Sequence, residues 1–147
     1  MSKSYIDSDS FKIYKAEDAK EVLSPYFGAA NAGFPSPAAD FTGQRIDLNQ
    51  LCINNPESTF FAKAVGESMN QDFREGDLLV VDSSLEYEDN RIALIFTDGD
   101  FTVKRIRIEE ERMFLVSSNK DFPPIEVMPE SEIRIFGIIT WSLRKHL

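Results

Sequence analysis

Residues 91 to 108 read R-I-A-L-I-F-T-D-G-D-F-T-V-K-R-I-R-I, two runs rich in Ile, Val and Phe on either side of Asp98-Gly99. Each run has the length and composition of a β-strand. Asp-Gly between two such runs is typical of a two-residue hairpin turn, because both central residues of that turn need a positive φ. The stretch therefore predicts an antiparallel hairpin with strands over 91–97 and 100–108.

Further strand patterns lie on both sides of this hairpin. Each is short, rich in Phe, Val and Ile, and bounded by Gly, Asp, Asn or Pro. They are residues 59–65, 77–82, 112–117 and 132–143. Because strands follow strands with no long helical pattern between them, the sequence predicts an all-β, mainly antiparallel domain. One short helix is expected within residues 44–54, where Leu48, Leu51 and Cys52 have helical spacing.

The N-terminal residues have a weaker pattern. Phe11 to Tyr14 can pair as a short strand, and Ala16 to Leu23 favours a helix. The stretch that follows, up to Ala39, is rich in Gly, Ala, Asn, Pro and Ser, which cannot bury enough surface to order itself. We therefore expect a flexible arm over residues 1–39 and a folded domain over residues 40–147.

Charge and hydropathy limit the partners and the location. The chain has 25 acidic and 16 basic residues and a net charge of −9, so a phosphate backbone repels it. Strong direct binding to nucleic acid is therefore not expected. The N-terminus lacks an apolar signal-peptide core, and no run approaches the length of a membrane span. A cytoplasmic location is expected.

The scarcity of cysteine and histidine in the chain excludes several kinds of site. With one cysteine, Cys52, and one histidine, His146, the chain cannot form an internal disulfide or a multi-ligand zinc site. Cys52 is expected in the core, and we expect neither a metal nor a cofactor. His146 lies one residue from the C-terminus, which is a poor place to anchor a catalytic imidazole. Nucleophilic catalysis that depends on histidine is therefore not expected.

Ser68 is a candidate nucleophile because it directly follows a predicted strand. Gly66 lets the backbone turn sharply, which can expose the Ser68 hydroxyl and leave nearby backbone N–H groups unpaired. Such groups can form an oxyanion hole, with the Ser68 N–H as one donor and that of Glu67 or Met69 as the other. Taken alone this signal is weak, since a serine after a strand is usually a turn residue.

Lys104 is the candidate base. Strand alternation places it on the same face as Ile106 and Ile108, which allows it to be partly buried. From the pattern alone, a lysine that extends from a strand edge into water is the more common case. A neutral lysine amine can replace histidine as the base of a serine nucleophile, and burial can lower a lysine pKa by up to roughly 3 to 5 units.

Three motifs, in order, resemble the LexA-type self-cleaving serine peptidases: G-E-S-M at 66–69, E-G-D-L-L-V-V-D at 75–82 and D-G-D-F-T-V-K at 98–104. F-P-S-P-A-A-D at 34–40 is very similar to the stretch just after the cleavage point of such proteins. The resemblance implies a LexA-type peptidase domain with an extended N-terminal arm.

Roles for particular residues also follow from the resemblance. It implies Ser68 as nucleophile, Lys104 as general base and Ala32-Gly33 as the bond that is cut. Residues 88–92 (E-D-N-R-I) depart from the family, which usually has Gly-Asp before this aliphatic run.

The resemblance further implies an SOS-response protein that acts during DNA damage. A RecA filament on single-stranded DNA would stimulate self-cleavage, and the shortened homodimer would join a UmuC-like error-prone polymerase for translesion synthesis. Two alternatives stay open: a non-catalytic polymerase or checkpoint binding subunit, and a LexA-like repressor fragment. The 32 residues before Gly33 are too short for a helix-turn-helix domain, which disfavours the repressor.

Overall fold

The computed structural model describes residues 6–16, 23–25, 45–65 and 72–147. Its strands are β1 (Ile6–Asp7), β2 (Phe11–Lys15), β3 (Leu23–Pro25), β4 (Arg45–Asp47), β5 (Thr59–Ala64), β6 (Leu78–Asp82), β7 (Ile92–Thr97), β8 (Asp100–Glu109), β9 (Arg112–Val116), β10 (Ile125–Glu126) and β11 (Arg134–Leu143). One helix, α1 (Leu48–Cys52), and one 3-10 turn (Pro56–Ser58) complete the described elements. No helix in the described ranges is long and apolar enough to cross a membrane.

Nine of these strands form one antiparallel sheet, in the order β1-β2-β5-β6-β11-β7-β8-β9-β10, and β3 pairs with β4 in a separate two-stranded ladder. The all-β, mainly antiparallel fold predicted from the sequence is confirmed. Each of the six main predicted strands is present, with ends that differ by no more than two residues.

The turns at both ends of β8 have the positive φ angles that two-residue hairpins require. Asp98 and Gly99 join β7 to β8 with φ of 54° and 77°, as the Asp-Gly pair predicted. Glu110 and Glu111 join β8 to β9 with φ of 49° and 64°. Asn90, within the stretch that departs from the family, has φ of 71°, a conformation that asparagine tolerates better than most residues.

Apolar side chains cover both faces of the sheet. On β8, Phe101 and Val103 belong to one buried cluster, and Ile106 belongs to the other. The first cluster also contains Phe11, Ile13, Ala62, Ala64, Phe73, Leu79, Val81 and Leu94. The second also contains Ala93, Ile95, Leu115 and Ile138. This alternation confirms the predicted faces of β8 and places Lys104 on the side of Ile106.

The sheet curves until distant strands meet. In a flat sheet β2 and β8, five strand spacings apart, would be separated by about 24 Å. Yet the Ser10 hydroxyl, next to β2, donates a 2.6 Å hydrogen bond to Asp100 at the start of β8. The first cluster is therefore enclosed on the inside of the curved sheet.

Residues 6–15 belong to this sheet rather than to a flexible arm. β2 pairs with β5 over five residue pairs, and Phe11 and Ile13 are fully buried. The short strand predicted at Phe11 to Tyr14 is confirmed. Much of the predicted arm, including Ala32 and Gly33, lies outside the described residues, and the boundary at residue 40 stays a prediction.

The short helix predicted within residues 44–54 is confirmed as α1, which begins after Asp47 because this residue ends β4 and caps the helix by accepting a 2.9 Å hydrogen bond from the Asn49 N–H. Two local predictions were wrong. Leu23 lies in β3 instead of ending a helix, and residues 17–22 lie outside the described ranges. Cys52 is only half-buried, since a five-residue helix has no sustained apolar face and none of its residues is buried.

Candidate active site

Lys104 lies in the middle of β8, an interior strand of the sheet. Its partner across the ladder to β7 is Ala93, and β9 pairs with β8 from the next residue onward. Ala93 and Ile106, which belong to the same face, are fully buried, and Lys104 itself is half-buried. Lys104 is therefore partly buried, at the point where β8 changes from pairing with β7 alone to pairing with both β7 and β9.

The surroundings of Lys104 favour the neutral amine. Burial lowers the pKa of Lys104 below the ordinary value for lysine. The described part of the chain contains four ion pairs, and none of them includes Lys104. The nearest aromatic contact is the exposed ring of Phe122, whose centroid is 5.9 Å from Nζ, at the outer limit of a cation–π interaction. Desolvation with no ion-pair partner among the described residues is consistent with a lysine that acts as a base.

Ser68 and its neighbours Glu67 and Met69 lie outside the described residues, between Val65 and Asp72. Described residues on either side of this segment, Ala64 before it and Gly76-Asp77 after it, are hydrogen-bonded to each other. The Ala64 N–H donates to the Asp77 carbonyl, and the Gly76 N–H donates to the Ala64 carbonyl, both at 2.9 Å. The distance from Ser68 to Lys104 and the oxyanion hole stay predictions.

An ion pair between the buried Asp77 and the exposed Arg144 lies shortly after that segment. Asp77 is only 3 % exposed, and its carboxylate accepts hydrogen bonds of 3.0 and 2.7 Å from the Arg144 guanidinium. It also accepts a 2.9 Å hydrogen bond from the Arg74 N–H. The hydrogen bond from Arg144 is the main reason that the pKa of Asp77 lies below its ordinary value.

The sequence patterns do not predict this ion pair. They place Asp77 only at the start of a strand, and Arg144 lies 67 residues further along the chain. One local signal was available: Asp77 lies directly after a turn glycine, Gly76, and before an apolar strand. A carboxylate in such a place can be buried, and a buried charge needs a partner of opposite charge. Nothing local could have identified that partner.

Comparison with known proteins gives the class and then the family. Residues 25–140 match the family described as Peptidase S24-like. With the antiparallel all-β fold and the half-buried lysine, this match defines a self-cleaving serine peptidase of the Ser-Lys type. The chain belongs to the Peptidase S24-like family.

Several relatives match along most of the chain. SamA of Salmonella typhimurium is 44% identical over 115 residues, which cover 78% of this chain and 79% of SamA. ImpA of Shigella flexneri is 44% identical over 129 residues, covering 87% of this chain and 88% of ImpA. MucA of Escherichia coli is 36% identical over 138 residues, which cover 91% of this chain and 94% of MucA.

These relatives belong to the UmuD-like group of self-cleaving peptidases in the SOS response. Within this chain, residues 34–40 and 44–51 are likewise very similar to UmuD just after its cleavage point. The predicted resemblance, both to the family and to its UmuD-like members, is confirmed. The chain is accordingly an SOS-response peptidase that cleaves itself.

Proposed function

We propose that Ser68 and Lys104 form the catalytic dyad of this peptidase and that the bond it cuts is Ala32-Gly33. The observation that supports this most directly is the environment of Lys104. It is half-buried on an interior strand, it has no ion-pair partner among the described residues, and burial lowers its pKa. A lower pKa makes a larger fraction of the Lys104 amine neutral at a given pH, as a general base requires.

The chemistry proceeds in two steps. Nζ of neutral Lys104 takes the proton of the Ser68 hydroxyl as Oγ attacks the Ala32 carbonyl carbon. The oxyanion accepts hydrogen bonds from the Ser68 backbone N–H and from that of Glu67 or Met69. The protonated lysine then gives its proton to the leaving amine of Gly33. Water then hydrolyses the ester and frees residues 1–32 from Ser68, so that residues 33–147 remain as a chain of 115 residues.

The pKa of the lysine sets the pH dependence of this reaction. At the reference pKa of ~10.4, only about one lysine in 2,500 is neutral at pH 7, and every unit by which the pKa falls raises that fraction roughly tenfold. Because the shift in Lys104 is downward, self-cleavage should increase with pH and level off below the pH expected for an exposed lysine.

The cellular role follows from the family. We propose that a RecA filament on single-stranded DNA favours the arrangement in which the Ala32-Gly33 bond enters the site. The shortened protein then acts in the cytoplasm as a homodimer, as a subunit of a UmuC-like error-prone polymerase in translesion synthesis and DNA repair. The net charge of −9 supports contact with DNA through these protein partners rather than directly.

Incubation of the purified wild-type protein without RecA, between pH 7 and pH 11, tests the proposed reaction. We expect one product of 115 residues beginning at Gly33, identified by intact-mass spectrometry, with a first-order rate that increases with pH. A product that begins at another residue would refute the assigned bond. Absence of any product over the whole range would instead favour the alternative, a binding subunit in which Ser68 and Lys104 are idle.

A further inference from the structure

Ser10, in the turn between β1 and β2, contacts both Val65, from which the chain continues to Ser68, and Asp100, at the start of the strand that contains Lys104. Its carbonyl accepts a 2.9 Å hydrogen bond from the N–H of Val65, three residues before Ser68. Its hydroxyl and its N–H donate to the two carboxylate oxygens of Asp100, at 2.6 and 3.2 Å. Asp100 is the first residue of β8, and Lys104 is the fifth.

The position of Ser10 is fixed by the strands around it. β2 begins at the next residue, Phe11, which is fully buried and pairs with Ala64 at the end of β5. The Ser8 N–H donates a 2.9 Å hydrogen bond to the Phe11 carbonyl across the turn. The contacts of Ser10 are therefore part of the folded sheet, unlike those of a surface serine that is free to rotate.

Asp100 is a charged partner in this contact. Burial alone would raise the pKa of Asp100, but hydrogen bonds from Ser10 and Ser8 lower it below its ordinary value. The carboxylate is therefore ionised at neutral and alkaline pH. Hydrogen bonds to an ionised acceptor are shorter and stronger than those between neutral groups, in agreement with the 2.6 Å distance.

We propose that Ser10 and Asp100 are positioning residues for self-cleavage, which rests on the dyad proposed above. Their contact fixes the position of the end of β5 relative to the start of β8. From the end of β5 the chain continues to Ser68, and β8 contains Lys104. Catalytic rates are sensitive to such placement, since a misplacement of 1 Å can cost roughly a hundredfold. Ser10 lies before the Ala32-Gly33 bond, so the fragment that the reaction removes helps to build the geometry that makes the cut.

The proposal predicts a specific change in the pH–rate profile of full-length Ser10→Ala and Asp100→Ala. We expect the limiting rate at high pH to fall roughly tenfold or more. The pH of half-maximal rate should not move, because Asp100 is about 13 Å along the strand from Lys104. Ser10→Thr, which keeps a hydroxyl, should restore most of the rate. Rates are measured by intact mass at a temperature well below the unfolding transition.

Ile139→Val is the matched control for a general loss of packing, because Ile139 packs against the first cluster, on the face of the sheet opposite to Lys104. It should cleave at the wild-type rate and leave hydrogen exchange of the Val65 amide unchanged, whereas Asp100→Ala should speed that exchange. Wild-type rates in Ser10→Ala and Asp100→Ala, or an equal slowing in Ile139→Val, would overturn the positioning role alone. A wild type that does not cleave would overturn the dyad and this proposal together.

Discussion

Lys104→Ala is expected to abolish measurable self-cleavage near neutral pH while the protein stays folded. Removal of a general base typically costs 10²–10⁴-fold in rate, and members of a catalytic unit can cost more. The expected cost in stability is small, because Lys104 is half-buried and none of the ion pairs in the described ranges includes it. The loss of activity should therefore reflect chemistry rather than unfolding.

Two further variants make this test specific. Lys104→Arg keeps the positive charge and much of the volume, but a guanidinium stays protonated at every usable pH, so this variant should also be inactive. Lys120→Ala removes an exposed lysine from the loop that contains Phe122 and should cleave like the wild type. The rate of each is followed by intact mass between pH 7 and pH 11. If Lys104→Ala or Lys104→Arg cleaves as fast as the wild type throughout, Lys104 is not the base.

Asp77→Ala is expected to give the largest loss of stability among the substitutions considered. The Asp77 carboxylate is buried and accepts hydrogen bonds from Arg144 and from the Arg74 N–H. Hydrogen bonds to a charged group contribute about 1.5–3 kcal/mol, and we expect a loss of roughly that size in the free energy of unfolding at pH 7. Urea unfolding followed by circular dichroism measures it.

The loss in Asp77→Ala should depend on pH in a defined direction. The pKa of Asp77 is lower in the folded than in the unfolded chain, so its ionisation stabilises the fold above the unfolded pKa of ~3.9. That contribution disappears as pH falls through the lower, folded pKa. The difference in unfolding free energy between the wild type and Asp77→Ala should therefore shrink between pH 7 and pH 3. A difference that is constant or larger at pH 3 would contradict the assigned ion pair.

The features that the sequence predicted correctly depend on local information. Alternation along residues 100–108 identified the face that contains Lys104, and Asp98-Gly99 identified the hairpin because both residues adopt a positive φ. The short helix at Leu48–Cys52 was also predicted, but helical spacing of three apolar residues does not show whether anything packs on them, and none of its residues is buried. Leu48 and Leu51 are in fact 55% and 45% exposed.

The features that the sequence did not predict depend on distant contacts. Ser10 and Asp100 are 90 residues apart in the chain, and they meet only because the sheet curves. No periodicity of apolar residues in the sequence indicates that curvature. Ser68 was a different case, since a turn serine and a nucleophilic serine look alike locally, and only the resemblance to a family distinguished them.

The central claim, that Ser68 cuts the chain's own Ala32-Gly33 bond, is tested most directly by comparing intact masses of the wild type and Ser68→Ala after incubation at pH 10. Ser142→Ala, which alters an exposed serine on β11, is the control. We predict the 115-residue product from the wild type and from Ser142→Ala, and only the full-length chain from Ser68→Ala. Formation of the same product by Ser68→Ala would contradict the account.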